Sequence, residues 1–126
     1  MPIVADFTLP ASAQGLPIPK DSSEPFYVTI ISSTPPETGE SWCPDVRRAL
    51  PLLDRTFSPV DAPRMAYVPV DRPLWKDPSN IYRTKWDLHY VPTVVRYERV
   101  DGEIKETGRV VEGEVIVDGK LQALVQ

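Results

Sequence analysis

The chain has 126 residues, 41% of them apolar, and a net charge of −4 from 14 basic and 18 acidic side chains. This length and composition fit a single domain spanning residues 1–126, with enough apolar material for a core that needs no metal or disulfide staples. The acidic balance excludes a basic nucleic-acid footprint, no apolar run approaches the roughly 20 residues of a membrane helix, and the start lacks the basic-then-apolar pattern of a secretory signal.

A soluble, cytoplasmic protein without nucleic-acid or membrane partners is therefore expected. There is one cysteine, Cys43, and one histidine, His89. An internal disulfide is impossible, and no metal site or other cofactor is expected.

Residues 1–25 are rich in Pro, Ser and Ala. Pro10, Pro17, Pro19 and Pro25 leave room for a strand at Ile3–Thr8 and then an irregular stretch. Phe26–Ile31 is aromatic and β-branched and reads as a buried strand. It stops at Ser32–Gly39, which is a loop by composition.

A helix is expected to begin at Cys43-Pro44, since proline loses nothing in a first helical turn. Val46, Ala49, Leu50, Leu53 and Phe57 then fall on one apolar face. Pro51 interrupts this pattern and predicts a kink. Met65–Val70 reads as a strand. Asp77-Pro78 predicts a helix start, with Asp77 as cap and the helix running to about Trp86.

Thr93–Tyr97 and Glu103–Val111 read as antiparallel strands joined at Asp101-Gly102, a strong hairpin signal. The end admits two readings, a further hairpin at Asp118-Gly119 or a short helix over Lys120–Val125. The whole order predicts an α/β fold with a mixed central sheet flanked by helices.

Cys43 is the candidate chemical centre. A thiol at a helix N-terminus faces unpaired N–H groups and the positive end of the helix dipole, which favour the nucleophilic thiolate. Arg47 adds positive charge and Asp45 opposes it. The bland alternative is a small buried hydrophobe. Bland readings also fit Trp75 and Trp86 as core residues, His89 as a surface histidine and Arg47-Arg48 as a solvated helix face.

The segment Gly39-Glu40-Ser41-Trp42-Cys43-Pro44-Asp45 resembles the active-site segment of the fourteen-kilodalton thioredoxin-related proteins, whose motif reads Trp-Cys-Pro-Asp-Cys. Pro51 matches that family's helix proline, and Asp71-Arg72-Pro73-Leu74-Trp75-Lys76-Asp77-Pro78-Ser79-Asn80 is similar to its Trp-Lys-Asp-Pro-Asn-Asn stretch. Val91-Pro92-Thr93 matches its cis-proline motif. The resemblance runs in order from about Tyr27 to Tyr97 and implies a thioredoxin-like fold. It implies redox work on disulfides in peptides or proteins, with thioredoxin reductase as electron donor. It also implies a substrate groove formed by Trp42, Pro44, Asp45, Val91 and Pro92 beside a catalytic Cys43.

One departure from the family bears on the chemistry. Val46 stands where the resolving cysteine belongs. Thiol–disulfide exchange needs a second thiol to expel the reduced product, so an outside thiol such as glutathione would complete the cycle. Three functions follow: a monothiol oxidoreductase, a non-catalytic binding module using the groove around Trp42, Pro44 and Pro92, or a trap that holds a mixed disulfide.

Overall fold

The structure, a computed structural model, describes residues 3–117 and 119–126. A four-stranded sheet organises it, in the order β2-β1-β3-β4. β1 (Phe26–Ser32) pairs in parallel with β2 (Arg64–Val70) and antiparallel with β3 (Thr93–Val100), and β3 pairs antiparallel with β4 (Glu103–Val111). The parallel β1–β2 pair requires a crossover, and α1 (Pro44–Phe57) supplies it.

β1 is apolar almost throughout because both of its faces are covered. Phe26, Val28 and Ile30 join one core cluster with Ala66, Val68, Val95, Trp75 and Trp86. Tyr27 joins the other, which packs Met65 and Val94 against Ala49, Leu53 and Phe57 of α1 and against Val115 and Leu121. The apolar stripe of α1 thus lies on the sheet as its spacing predicts. α1 continues for 14 residues without a break at Pro51, which lies on its exposed side.

The β3–β4 hairpin turns at the expected residues. Asp101 (φ 54°) and Gly102 (φ 84°) both take the left-handed conformation that a type I′ turn requires. At the C-terminal end the helical reading holds: α4 spans Lys120–Val125, after a 3₁₀ segment at Glu112–Ile116. Asp118, half of the alternative hairpin signal, lies outside the described residues.

Two expectations fail. No strand forms at Ile3–Thr8; a lone parallel bridge joins Ile3 to Met65 at the edge of β2. The chain turns at Ala5-Asp6, where Asp6 takes a φ of 55°, and this ends the ladder, yet the segment is docked by other means. Leu16 and Ile18 are buried, the Gln14 side chain bonds both the N–H and the carbonyl of Ile104, and Trp86 Nε1 donates to Pro10 O at 3.1 Å.

The helix expected from Asp77 to Trp86 is instead two short ones, α2 (Arg72–Lys76) and α3 (Ile81–Thr84). Asp77 ends the first, and its carboxylate accepts from Ser79 N and Ser79 Oγ, which holds its pKa below the ordinary value. Asn80 caps the second. Its Oδ1 accepts from Arg83 N at 2.9 Å while Nδ2 donates to the carbonyls of Leu74, Trp75 and Asp77. An amide serves both helix ends at once, which a carboxylate, having no donor, cannot do.

Candidate functional site

Cys43 is the N-cap residue of α1, in extended backbone conformation, with Pro44 first in the helix. Its side chain is half-buried. The local geometry follows from where the chain turns between β1 and α1. Ser32, the last residue of β1, is 1% exposed, and its Oγ accepts the Cys43 N–H at 3.3 Å. The same hydroxyl bonds Ser41 Oγ, and Ser41 Oγ contacts Ser32 O at 3.2 Å. Two buried serines therefore pin the loop end that presents the thiol.

On its other side the Cys43 thiol lies 3.8 Å from the carbonyl oxygen of Val91. The Val91–Pro92 peptide bond is cis. Val91 and Pro92 are buried at the entrance to β3, and Pro92 O accepts from Glu112 N at 2.7 Å. The thiol thus sits where the start of α1, the end of β1 and the start of β3 converge.

Trp42 extends the site toward β2. Its Nε1 donates to Val70 O at 2.9 Å, its backbone N–H to Ser33 O, and the Arg72 guanidinium lies over its ring, 5.9 Å from the centroid. A cleft of about 320 Å³ opens beside it, between the loop that follows β1 and the Asp71-Arg72-Pro73 turn.

Of the residues expected at the site, Trp42, Cys43, Pro44, Val91 and Pro92 come together in this region. Asp45 turns aside to pair with Arg48. Arg47, expected to bring charge toward the thiol, reaches back instead and donates from Nη1 to Ser41 O at 2.5 Å. Val46 has no exposed surface and packs in the core beneath. His89 is exposed and paired with Asp87 at 2.7 Å. Among the described residues, no group of three or more His, Cys, Asp or Glu is placed to hold a metal ion, and no helix is long and apolar enough to cross a membrane.

Sequence reasoning missed Ser32 and Arg72. A serine ending an apolar strand shortly before the loop was a usable sign for the first. The second stood inside a quoted motif, but its place over Trp42 depends on two loops meeting.

A mixed sheet in this order, with a helix capped by a cysteine facing an X–Pro turn, defines a thioredoxin-like domain. The chain belongs to the thioredoxin domain-containing protein 17-like family, whose thioredoxin-domain model matches residues 14–118. It is 36% identical over 85 residues to a thioredoxin domain-containing protein of Schizosaccharomyces pombe, covering 66% of this chain and 68% of that one. It is 33% identical over 96 residues to the thioredoxin-like protein Clot of Arabidopsis thaliana, covering 72% of each. The structure of Trichomonas vaginalis thioredoxin superposes with a TM-score of 0.51 at 15% identity, covering 79% of this chain and 74% of that one, and supports the fold.

Proposed function

We propose that Cys43 carries out thiol–disulfide exchange as a monothiol, with a second molecule supplying the resolving thiol. The Cys43 sulfur attacks one sulfur of a substrate disulfide; that S–S bond breaks, a mixed disulfide forms on Cys43, and the other substrate sulfur leaves as a thiolate. An external thiolate such as glutathione then attacks the substrate-derived sulfur of the mixed disulfide. Cys43 departs as the thiolate, and the two outside sulfurs end as a disulfide. Thioredoxin reductase is the alternative source of electrons, and the cytoplasm is the proposed compartment.

The observation that carries this reading is the placement of a half-exposed Cys43 thiol at the start of α1, 3.8 Å from Val91 O. Trp42, Pro44, Val91 and Pro92 are assigned to substrate binding around it, and Asp45, paired with Arg48, drops out of the expected set. The test is turnover of a small glutathione mixed disulfide, coupled to glutathione reductase and NADPH. The expected outcome is catalysis lost in Cys43→Ser. Equal rates for the wild type and Cys43→Ser would overturn it.

One feature favours a second reading, a binding module that uses the groove without turnover. Val46 is fully buried and apolar where the resemblance places a second thiol. On that reading Cys43→Ser leaves partner binding unchanged, and a large loss of binding counts against it.

A further inference from the structure

We propose that a cleft of about 380 Å³ formed by Thr38, Glu40, Ser41, Trp42, Arg47 and Arg72 is a carboxylate subsite for a small acidic thiol of the glutathione type. This rests on the exchange reading above and names the resolving thiol's binding residues.

Charge supports it first. The cleft brings two guanidinium groups to one carboxylate, Glu40. That carboxylate holds Arg47 loosely: Nε to Oε2 is 3.9 Å, and the Glu40 side chain is 69% exposed. Asp45, at the helix start, is taken by Arg48, and Glu37 of the same loop lines the adjoining cleft, outside this one.

Arg72 is better placed still. Among the described residues no carboxylate comes within 4.0 Å of its nitrogens, and the adjacent Asp71 accepts instead from Ser33 Oγ at 2.6 Å. Its guanidinium is set over the Trp42 ring, and that ring is fixed in turn by the bond from Nε1 to Val70 O. Arg72 itself is exposed, and a guanidinium fork with no carboxylate partner suits two-point binding of one. Arg47 is anchored through one nitrogen on Ser41 O.

Distance supports it second. Ser41 and Trp42, two walls of the cleft, are the residues just before Cys43, and consecutive Cα atoms lie about 3.8 Å apart. An extended tripeptide spans at most about 10 Å. Cys43 does not itself line the cleft; the proposed ligand holds one carboxylate on Arg72 and lays its central thiol past Trp42 toward Cys43. The Trp42 face offers its backbone an apolar platform.

The test uses the full chain and S-methylglutathione, a thioether that cannot exchange with Cys43. Titration is followed by the Trp42 indole N–H resonance. Saturable shifts are expected, at least tenfold weaker binding for the diethyl ester, about tenfold weaker binding for Arg72→Gln, and partial recovery in Arg72→Lys. Absence of a saturable shift at Trp42, equal binding of acid and ester, or unchanged binding in Arg72→Gln would each overturn the subsite. Carboxylate-dependent binding without turnover of glutathione mixed disulfides leaves the subsite standing and removes the exchange reading. Turnover whose KM for glutathione is the same in Arg72→Gln does the reverse.

Discussion

The thiol of Cys43 and the carbonyl oxygen of Val91 lie 3.8 Å apart, joining the cap of α1 to the residue before Pro92. Only the protonated thiol can donate to that oxygen, so ionisation of Cys43 frees Val91 O as an acceptor. On the proposed reading, the same event that makes the sulfur a nucleophile exposes a backbone acceptor to an incoming peptide N–H. The backbone N–H of Cys43 is held separately, by Ser32 Oγ at 3.3 Å.

Restoring a second thiol tests the scaffold directly. Val46 lies in the first turn of α1, three residues beyond Cys43, and is fully buried. Val46→Cys exchanges one small apolar side chain for another and is expected to lower stability by about 1 kcal/mol. The oxidised variant is expected to lose both free thiols in a thiol titration and to gain dithiothreitol-driven reduction of insulin disulfides over the wild type. Two thiols still titratable after oxidation would mean that the turn does not hold the geometry a disulfide needs.

Asn80 carries the α2–α3 junction. The residue is 5% exposed, and its amide serves three carbonyls and one N–H. Asn80→Ala leaves these groups without their partner and removes an N-cap, for an expected loss of about 2–3 kcal/mol in urea unfolding with the m-value unchanged. Asn80→Asp keeps the acceptor for Arg83 N and loses the donors, so it is expected to fall between the two. A loss below about 0.5 kcal/mol in Asn80→Ala would show that water replaces the amide without strain.

These two sites mark where sequence reasoning succeeds and stops. The buried strand, the amphipathic α1 and the Asp101-Gly102 hairpin were legible because each is set by neighbouring residues: alternation, a 3.6-residue stripe, and a turn needing positive φ. Cys43, Trp42 and Val91-Pro92 were legible from the resemblance and their order. The α2–α3 break was not, because Asp77-Pro78 is a sound local cap signal that loses to the wider bonding of Asn80. The docking of residues 14–18 on Ile104 and the placement of Arg72 over Trp42 join positions distant in sequence, for which composition offers no sign, whereas the bond from Cys43 N–H to Ser32 Oγ had only the serine at the strand end to announce it.

Tyr97, which is buried, and Tyr67, which is partly buried, set an alkaline limit on stability. Tyr97 is 4% exposed and meets Trp86 edge-on at 5.8 Å. Burial raises its pKa above the ordinary tyrosine value, and the charge of Glu106 adds to the effect. Tyr67 is raised as well, by burial and then by its hydrogen bond to Asp54. In the unfolded chain both ionise near pH 10. Above that pH the unfolded state gives up protons that the folded state retains, so stability falls as pH rises, and is fully present below it. Each such group contributes a slope of up to about 1.4 kcal/mol per pH unit. Urea unfolding between pH 9 and 11.5 is expected to show this decline, and Tyr97→Phe, which removes one ionisation, is expected to flatten it by about that slope while lowering stability modestly at pH 7. Absorbance near 295 nm provides the second readout: Tyr67 and Tyr97 are expected to ionise only as the chain unfolds. A Tyr97→Phe profile parallel to that of the wild type above pH 10 would mean that Tyr97 gives up its proton without leaving the fold.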